Sequence, residues 1–293
     1  MGRSTGIAWT RSTFNPWIGC TEVSPGCDAC YARELDKRHR YGGSTHWGAG
    51  VERYVTGLGN WLKPERWNAL AAKEKASGRI EDRSDWHTPG FWPVFPSMCD
   101  PFDNEVAGDL RFAFWQLILD NPELTWLLLT KRIGNAIKQL PEQWLARPPA
   151  HVWIGASVVN QEEADRDLPK LLEVPAAKRF VSYEPALGPI DWKLPHAHMR
   201  QQFTSDLPVA GGIDQIIVGG ESNQGKHKAR PFDIEWARST LRQCRAAGVA
   251  FFMKQTGSDH TALYERTQKD RAGADPAEWP EDLRVREFPV VPA

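Results

Sequence analysis

The stretch VWIGASVVNQEEADRDLPKLLEVPAAKRFVSY, residues 152–183, decides the fold. An apolar run, VWIGASV, leads into an amphipathic segment, EEADRDLPKLLE at 162–173, and then into a second apolar run, RFVSY at 179–183. A strand covered on both faces reads as an unbroken apolar run, and a helix lying on a sheet repeats its apolar residues every three or four. The stretch therefore reads as one βαβ unit.

The same period recurs on either side. WPVFPSM (92–98), TWLLLT (125–130), QIIVGG (215–220) and VAFFMK (249–254) bring the expected strands to six, and VAGDLRFAFWQLILD (106–120) and DIEWARSTLRQCRAAG (233–248) are expected helices. Strands alternating with helices mean a parallel sheet, so the expected class is α/β, a partial or full β/α barrel. With 293 residues, 41% of them hydrophobic, the chain can bury one full core. The expected organisation is a barrel over 1–256 carrying an N-terminal cysteine loop and an insertion at about 42–90, then a C-terminal extension over 257–293 packed on the barrel. Within the insertion a strand is expected at 51–57 and a helix at 64–76.

Lys and Arg total 36 against 37 Asp and Glu, a net charge of -1 that excludes global attraction to a polyanion. Any nucleic-acid site must be a local patch. The most apolar segment, LTWLLLT, is far below the roughly 18 residues of a membrane span, so no membrane contact is expected. The first residues lack the apolar core of a secretory signal, and three of five cysteines fall within eleven residues, so a reducing cytoplasm is the expected setting. The fourteen tryptophans mostly sit beside apolar residues and read as core.

The apolar runs end in polar or small residues: Cys99-Asp100, Thr130-Lys131-Arg132, Ser157, Ser182-Tyr183-Glu184, Gly220-Glu221-Ser222 and Lys254-Gln255. One such end is ordinarily a turn or a helix cap. Six in series point to a shared pocket, because β/α folds gather their ligands at the C-terminal ends of the strands.

Cys20-x6-Cys27-x2-Cys30 lies in the loop GCTEVSPGCDACYA, ahead of a helix expected from Tyr31. Three soft thiolates on one loop mean metal. An iron–sulfur cluster on three cysteines leaves one iron open, whereas structural zinc would take His39 or His46 as a fourth ligand, and a disulfide is the third option. Cys244 reads as core. Cys99 is either a small buried side chain or a reactive thiol.

The CDACYA loop, the βα series, Thr130-Lys131 and Gly219-Gly220-Glu221 resemble radical S-adenosylmethionine enzymes, particularly the branch containing spore photoproduct lyase. With NPWIGCTEVSPGCDACYA, LTWLLLTKR, RFVSYEPALGPID, IIVGGES and FFMKQTG, the chain more closely resembles a phage-encoded three-cysteine family of unassigned function. The first cysteine gap is six residues where the usual radical-family gap is three; longer first gaps occur in related enzymes.

The radical-enzyme resemblance implies a [4Fe–4S] cluster on Cys20, Cys27 and Cys30 that binds and cleaves S-adenosylmethionine. It implies Lys131 on the methionine carboxylate, Glu221 on a ribose hydroxyl or the methionine ammonium, and Ser157 and Asp100 in the same polar shell. Cys99 would donate a hydrogen atom to a substrate radical, Tyr183 would contact substrate, and flavodoxin or ferredoxin would supply electrons. The basic clusters LTKR (129–132) and QGKHKAR (224–230) suit a nucleic-acid or nucleotide substrate held at a local basic rim. The expected function is radical chemistry on a nucleobase, thymine-type in DNA, as base modification or photoproduct repair, in the infected host's cytoplasm if the chain is phage-encoded. Two alternatives stand beside it: a radical enzyme acting on a small metabolite or peptide, and a zinc-stabilised nucleic-acid-binding module.

Overall fold

Each of the six apolar runs forms a strand in the computed structural model, which describes residues 5–80, 88–195, 212–259 and 269–289. In chain order the strands are β1 (Ser12–Thr13), β2 (Trp17–Ile18), β3 (Tyr54–Val55), β4 (Pro93–Phe95), β5 (Thr125–Thr130), β6 (Val152–Ser157), β7 (Lys178–Tyr183), β8 (Gln215–Gly219) and β9 (Ala250–Gln255). The helices are α1 (Tyr31–His39), α2 (Leu58–Trp61), α3 (Lys63–Ser77), α4 (Gly108–Leu119), α5 (Ala136–Gln139), α6 (Glu142–Ala146), α7 (Gln161–Glu173) and α8 (Ile234–Ala247). The residues group into two compact units, Met1–Glu22 with Ala32–Trp153, and Val23–Tyr31 with Ile154–Ala293.

In the first unit β1 pairs with β4 and β4 with β5, all parallel, with Ser12 opposite Val94 and Pro93 opposite Thr125. The amide of Trp126 donates to His151 O at 2.8 Å, which brings the chain entering β6 alongside β5. β2 and β3 form a separate antiparallel pair, and the strand expected over 51–57 is shortened to Tyr54–Val55. Phe14, Trp17, Phe114 and Trp126 meet edge to face around the core, with centroids 5.8–5.9 Å apart. α3 ends where the chain needs a left-handed residue, supplied by Gly78 at φ +66°.

β6 leaves the first unit and enters the second, where β7 pairs with β8 and β8 with β9, again in parallel. Strand pairing follows the order β1-β4-β5-β6-β7-β8-β9, so the fold is α/β with a seven-stranded parallel sheet. The expected class is met at that level. Among the described residues no pairing closes β9 onto β1, so the strand order is that of a partial barrel sheet.

α7 opens on a strong cap: Asn160 accepts from the Glu163 amide at 3.0 Å, and the Glu163 carboxylate accepts from the Val159 amide at 3.0 Å. An exposed sheet edge invites aberrant pairing. Residues 285–287 cover β9 instead, with Met253 N donating to Val285 O at 2.8 Å and Glu287 N to Phe251 O at 2.9 Å. That segment is the part of the expected C-terminal extension lying on the sheet; residues 260–268 and 290–293 of the extension lie outside the described residues.

Gly155 is required by packing. A Cβ there would come within 2.4 Å of the Phe180 ring, which is almost fully buried. Gly155→Ala must displace that ring, and overpacking of this kind costs about 1–3 kcal/mol. Urea unfolding should show the loss as a lower midpoint at unchanged slope. A midpoint matching the parent would mean that Phe180 moves aside freely.

Candidate functional site

In the first unit the loop after β4 carries Cys99 and Asp100, held where the Asn15 side-chain oxygen accepts from the Met98 amide at 2.7 Å. Asp100 is buried and its carboxylate is saturated. Oδ1 accepts from Phe102 N at 2.9 Å and from the Thr130 hydroxyl at 2.7 Å, while Oδ2 accepts from Lys131 N and from Arg132 Nη1, each at 3.1 Å. Arg132 also donates through Nη1 to Cys20 Sγ at 3.3 Å and through Nη2 to the carbonyl of Thr21. Burial by itself would lower the Arg132 pKa, but Asp100 and Cys20 outweigh it and hold the group above its ordinary value.

Burial pushes the Cys20 thiol up to about 12, with Asp100 adding to the rise and Arg132 opposing it. Cys99 lies beside this group, since Gly19 and Cys99 are bridge partners. Burial, then Asp100 and Cys20, hold its thiol well above the ordinary value, so it keeps its proton.

Arg53, nearly inaccessible, fixes the other side of the same loop. Its Nε pairs with Asp103 at 2.8 Å, and its Nη1 donates to the carbonyls of His46, Gly48 and Val51 at 3.1, 3.0 and 2.8 Å. Its Nη2 reaches the Thr21 hydroxyl at 2.7 Å, and the Gly48 amide donates to Cys20 O at 2.9 Å. His46 has Nδ1 3.0 Å from Glu52 O and Nε2 2.7 Å from Tyr41 O, so both ring nitrogens are engaged by carbonyls. One of these contacts must open before a His46 nitrogen can ligate zinc; His39 is exposed.

In the second unit Cys27 ends a short turn, Pro25–Cys27, capped by the Ser24 hydroxyl, and the Cys30 amide donates to Cys27 O at 3.2 Å. None of the five cysteines is in a disulfide. After β8 the buried Glu221 accepts from the backbone and Nε of Arg230, each at 2.9 Å, from Arg230 Nη2 at 2.5 Å and from His227 Nε2 at 3.3 Å. Burial raises the Glu221 pKa, but these bonds outweigh it and hold the carboxyl below its ordinary value.

Ser157, at the end of β6, is 3% exposed and its hydroxyl has no partner among the described residues. Tyr183 is fully buried, donates its hydroxyl to Gly188 O and packs edge-on against Trp192, and burial pushes its phenol well up. Glu184 and Lys254 form an ion pair at the ends of β7 and β9.

A family model matches residues 4–280. The chain belongs to that family, described as Protein of unknown function (DUF5131). No curated protein and no solved structure gives a match.

In this DUF5131 chain the residues expected at the strand ends fall into distinct settings. Arg132, the neighbour of the expected Lys131, joins Cys20 to Asp100 in the first unit, and Cys99 lies next to them as the bridge partner of Gly19. Lys131, a half-buried residue, contributes only its backbone amide to Asp100; its ammonium has no partner among the described residues. Glu221 is tied up by Arg230 and His227, and the Tyr183 hydroxyl by Gly188. Arg53 was missed, and Arg230, expected only as part of the basic cluster 224–230, instead pairs with Glu221 and Asp28. Among the described residues no three His, Cys, Asp or Glu side chains are gathered into a metal-holding group. The exposed Lys226 and Lys228 occupy and flank the tight turn closed by Gln224 and His227. No helix among the described residues is long and apolar enough to cross a membrane.

Proposed function

We propose that this chain is a radical S-adenosylmethionine enzyme acting on a nucleobase, thymine-type in DNA. The observation that carries the reading is the Cys20 sulfur, partly buried and faced at 3.3 Å by a guanidinium that Asp100 locks in place. A metal that binds a thiol displaces its proton to solvent, and a fixed arginine beside the sulfur would offset the negative charge of the bound thiolate. Three thiols on one loop, none in a disulfide, are the donor chemistry of an iron–sulfur cluster, with Cys20, Cys27 and Cys30 as the ligands.

When bound, a [4Fe–4S] cluster with one open iron supplies the electron that splits S-adenosylmethionine into methionine and a 5′-deoxyadenosyl radical. The chain's own side chains do the rest. Lys131, with its ammonium unpaired, is the group to receive the methionine carboxylate. Ser157 offers a buried hydroxyl to a polar ligand atom, whereas Asp100 and Glu221 act by fixing Arg132 and Arg230. Cys99 retains the S–H bond that a hydrogen-atom donor needs. The exposed Lys226 and Lys228 suit phosphate contacts, and a flavodoxin or ferredoxin would supply the electrons.

The test is electron paramagnetic resonance of the anaerobically reconstituted, reduced protein with and without S-adenosylmethionine. A cluster signal that shifts on addition supports the reading, and the absence of any cluster in the reconstituted protein overturns it. Lys131→Ala should keep the full iron content and bind S-adenosylmethionine about 10–100-fold more weakly, the range expected for a lost charged hydrogen bond. Equal affinity in equilibrium dialysis would remove Lys131 from that role.

A further inference from the structure

The guanidinium of Arg230 joins two segments of the second unit that lie 202 residues apart in sequence. One edge of the fork, Nε and Nη2, is taken by the buried carboxylate of Glu221. Nη1 donates to Asp28 Oδ2 at 3.0 Å, and Nη2 also reaches Pro25 O at 3.0 Å. Asp28 is the first residue between Cys27 and Cys30, and Pro25 opens the turn that ends at Cys27. One cation therefore grips the loop on both sides of Cys27.

Asp28 is exposed, and an exposed ion pair by itself contributes little. The anchorage changes that. Glu221 also accepts the Arg230 backbone amide and the His227 ring, so the fork is already fixed when it meets the loop and loses little further freedom in holding it. Lysine, with one point charge, cannot reach Glu221, Asp28 and Pro25 O together.

We infer that Arg230 is the positioning residue of the Cys27–Cys30 segment, held in register by Glu221 so that the two thiols keep a fixed spacing. The metal that this spacing serves rests on the cluster reading proposed above; the clamp itself does not. Its test uses the full chain without metal. Maleimide labelling followed by peptide mass spectrometry gives separate rates for Cys20, Cys27 and Cys30.

Arg230→Ala is expected to speed labelling of Cys27 and Cys30 roughly five-fold or more by local opening, with Cys20 unchanged. Arg230→Lys should resemble Arg230→Ala, Glu221→Gln should reproduce it, and the double variant should be no faster than either, since the two residues act as one device. Unchanged rates at Cys27 and Cys30, or an equal rise at Cys20, overturn the clamp. Anaerobic iron loading then separates the two ideas. If the parent takes up iron and Arg230→Ala takes up several-fold less, both stand. If the parent takes up none while labelling behaves as expected, the cluster reading fails and the clamp survives.

Discussion

Glu74→Ala is expected to destabilise the chain by about 3–5 kcal/mol, the range for stripping one partner from a buried ion pair. Arg11 and Glu74 are 1% and 0% exposed at the side chain and meet fork to fork, at 2.7 and 2.6 Å. Glu74 also accepts from the Gly90 amide at 3.2 Å, and the Arg11 guanidinium lies 3.6 Å over the Trp92 ring. Removing the carboxylate leaves a cation in the core that water cannot reach. Urea unfolding followed by tryptophan fluorescence measures the cost. The double variant Arg11→Met with Glu74→Leu should lose much less than Glu74→Ala, because an apolar pair of similar volume carries no desolvation penalty. A single-variant loss below about 1 kcal/mol would show that the pair behaves as a surface one.

The contrast between Arg11 and the strands shows what the sequence could convey. TWLLLT and VWIGASV were readable because a parallel strand buried on both faces needs no polar alternation, and their observed bounds fall within a residue of the expected ones. β1 was not readable. It is only Ser12–Thr13, with no apolar run, and it exists because β4 offers it a paired edge. Nor could the sequence mark Arg11, Arg53 and Arg230 as fixed cations, since their carboxylate partners lie 63, 50 and 9 residues away and charged segments ordinarily read as surface.

At the candidate site the strand ends were legible and the side-chain directions were not. Lys131 and Arg132 are adjacent, yet only the arginine turns onto Asp100 and Cys20. Tyr183 follows from the same rule: successive strand residues face opposite sides, so Tyr183 points away from the side taken by Ser182 and Glu184 and packs on Trp192. Strand parity alone separates the two faces.

Cys30→Ala should reduce cluster iron and sulfide to background while leaving the fold intact, because Cys30 is half-buried on a loop and its removal opens no core cavity. Two thiolates cannot replace the three that a cluster with one open iron requires. Cys244→Ala is the matched control: that thiol is fully buried on α8, so the change should cost stability and no iron. Cys99→Ala separates ligand from hydrogen donor. If Cys99 only donates a hydrogen atom, the variant keeps its iron and still cleaves S-adenosylmethionine, and its products from a thymine-containing oligonucleotide change. Iron lost with Cys99 would make it a ligand instead, and unchanged products would return it to packing. Full iron in Cys30→Ala would remove the three-cysteine loop as the cluster's home. Zinc bound by the parent and lost in Cys30→Ala, with no cluster signal in either, would make the loop a structural metal clip and put the nucleic-acid-binding reading first.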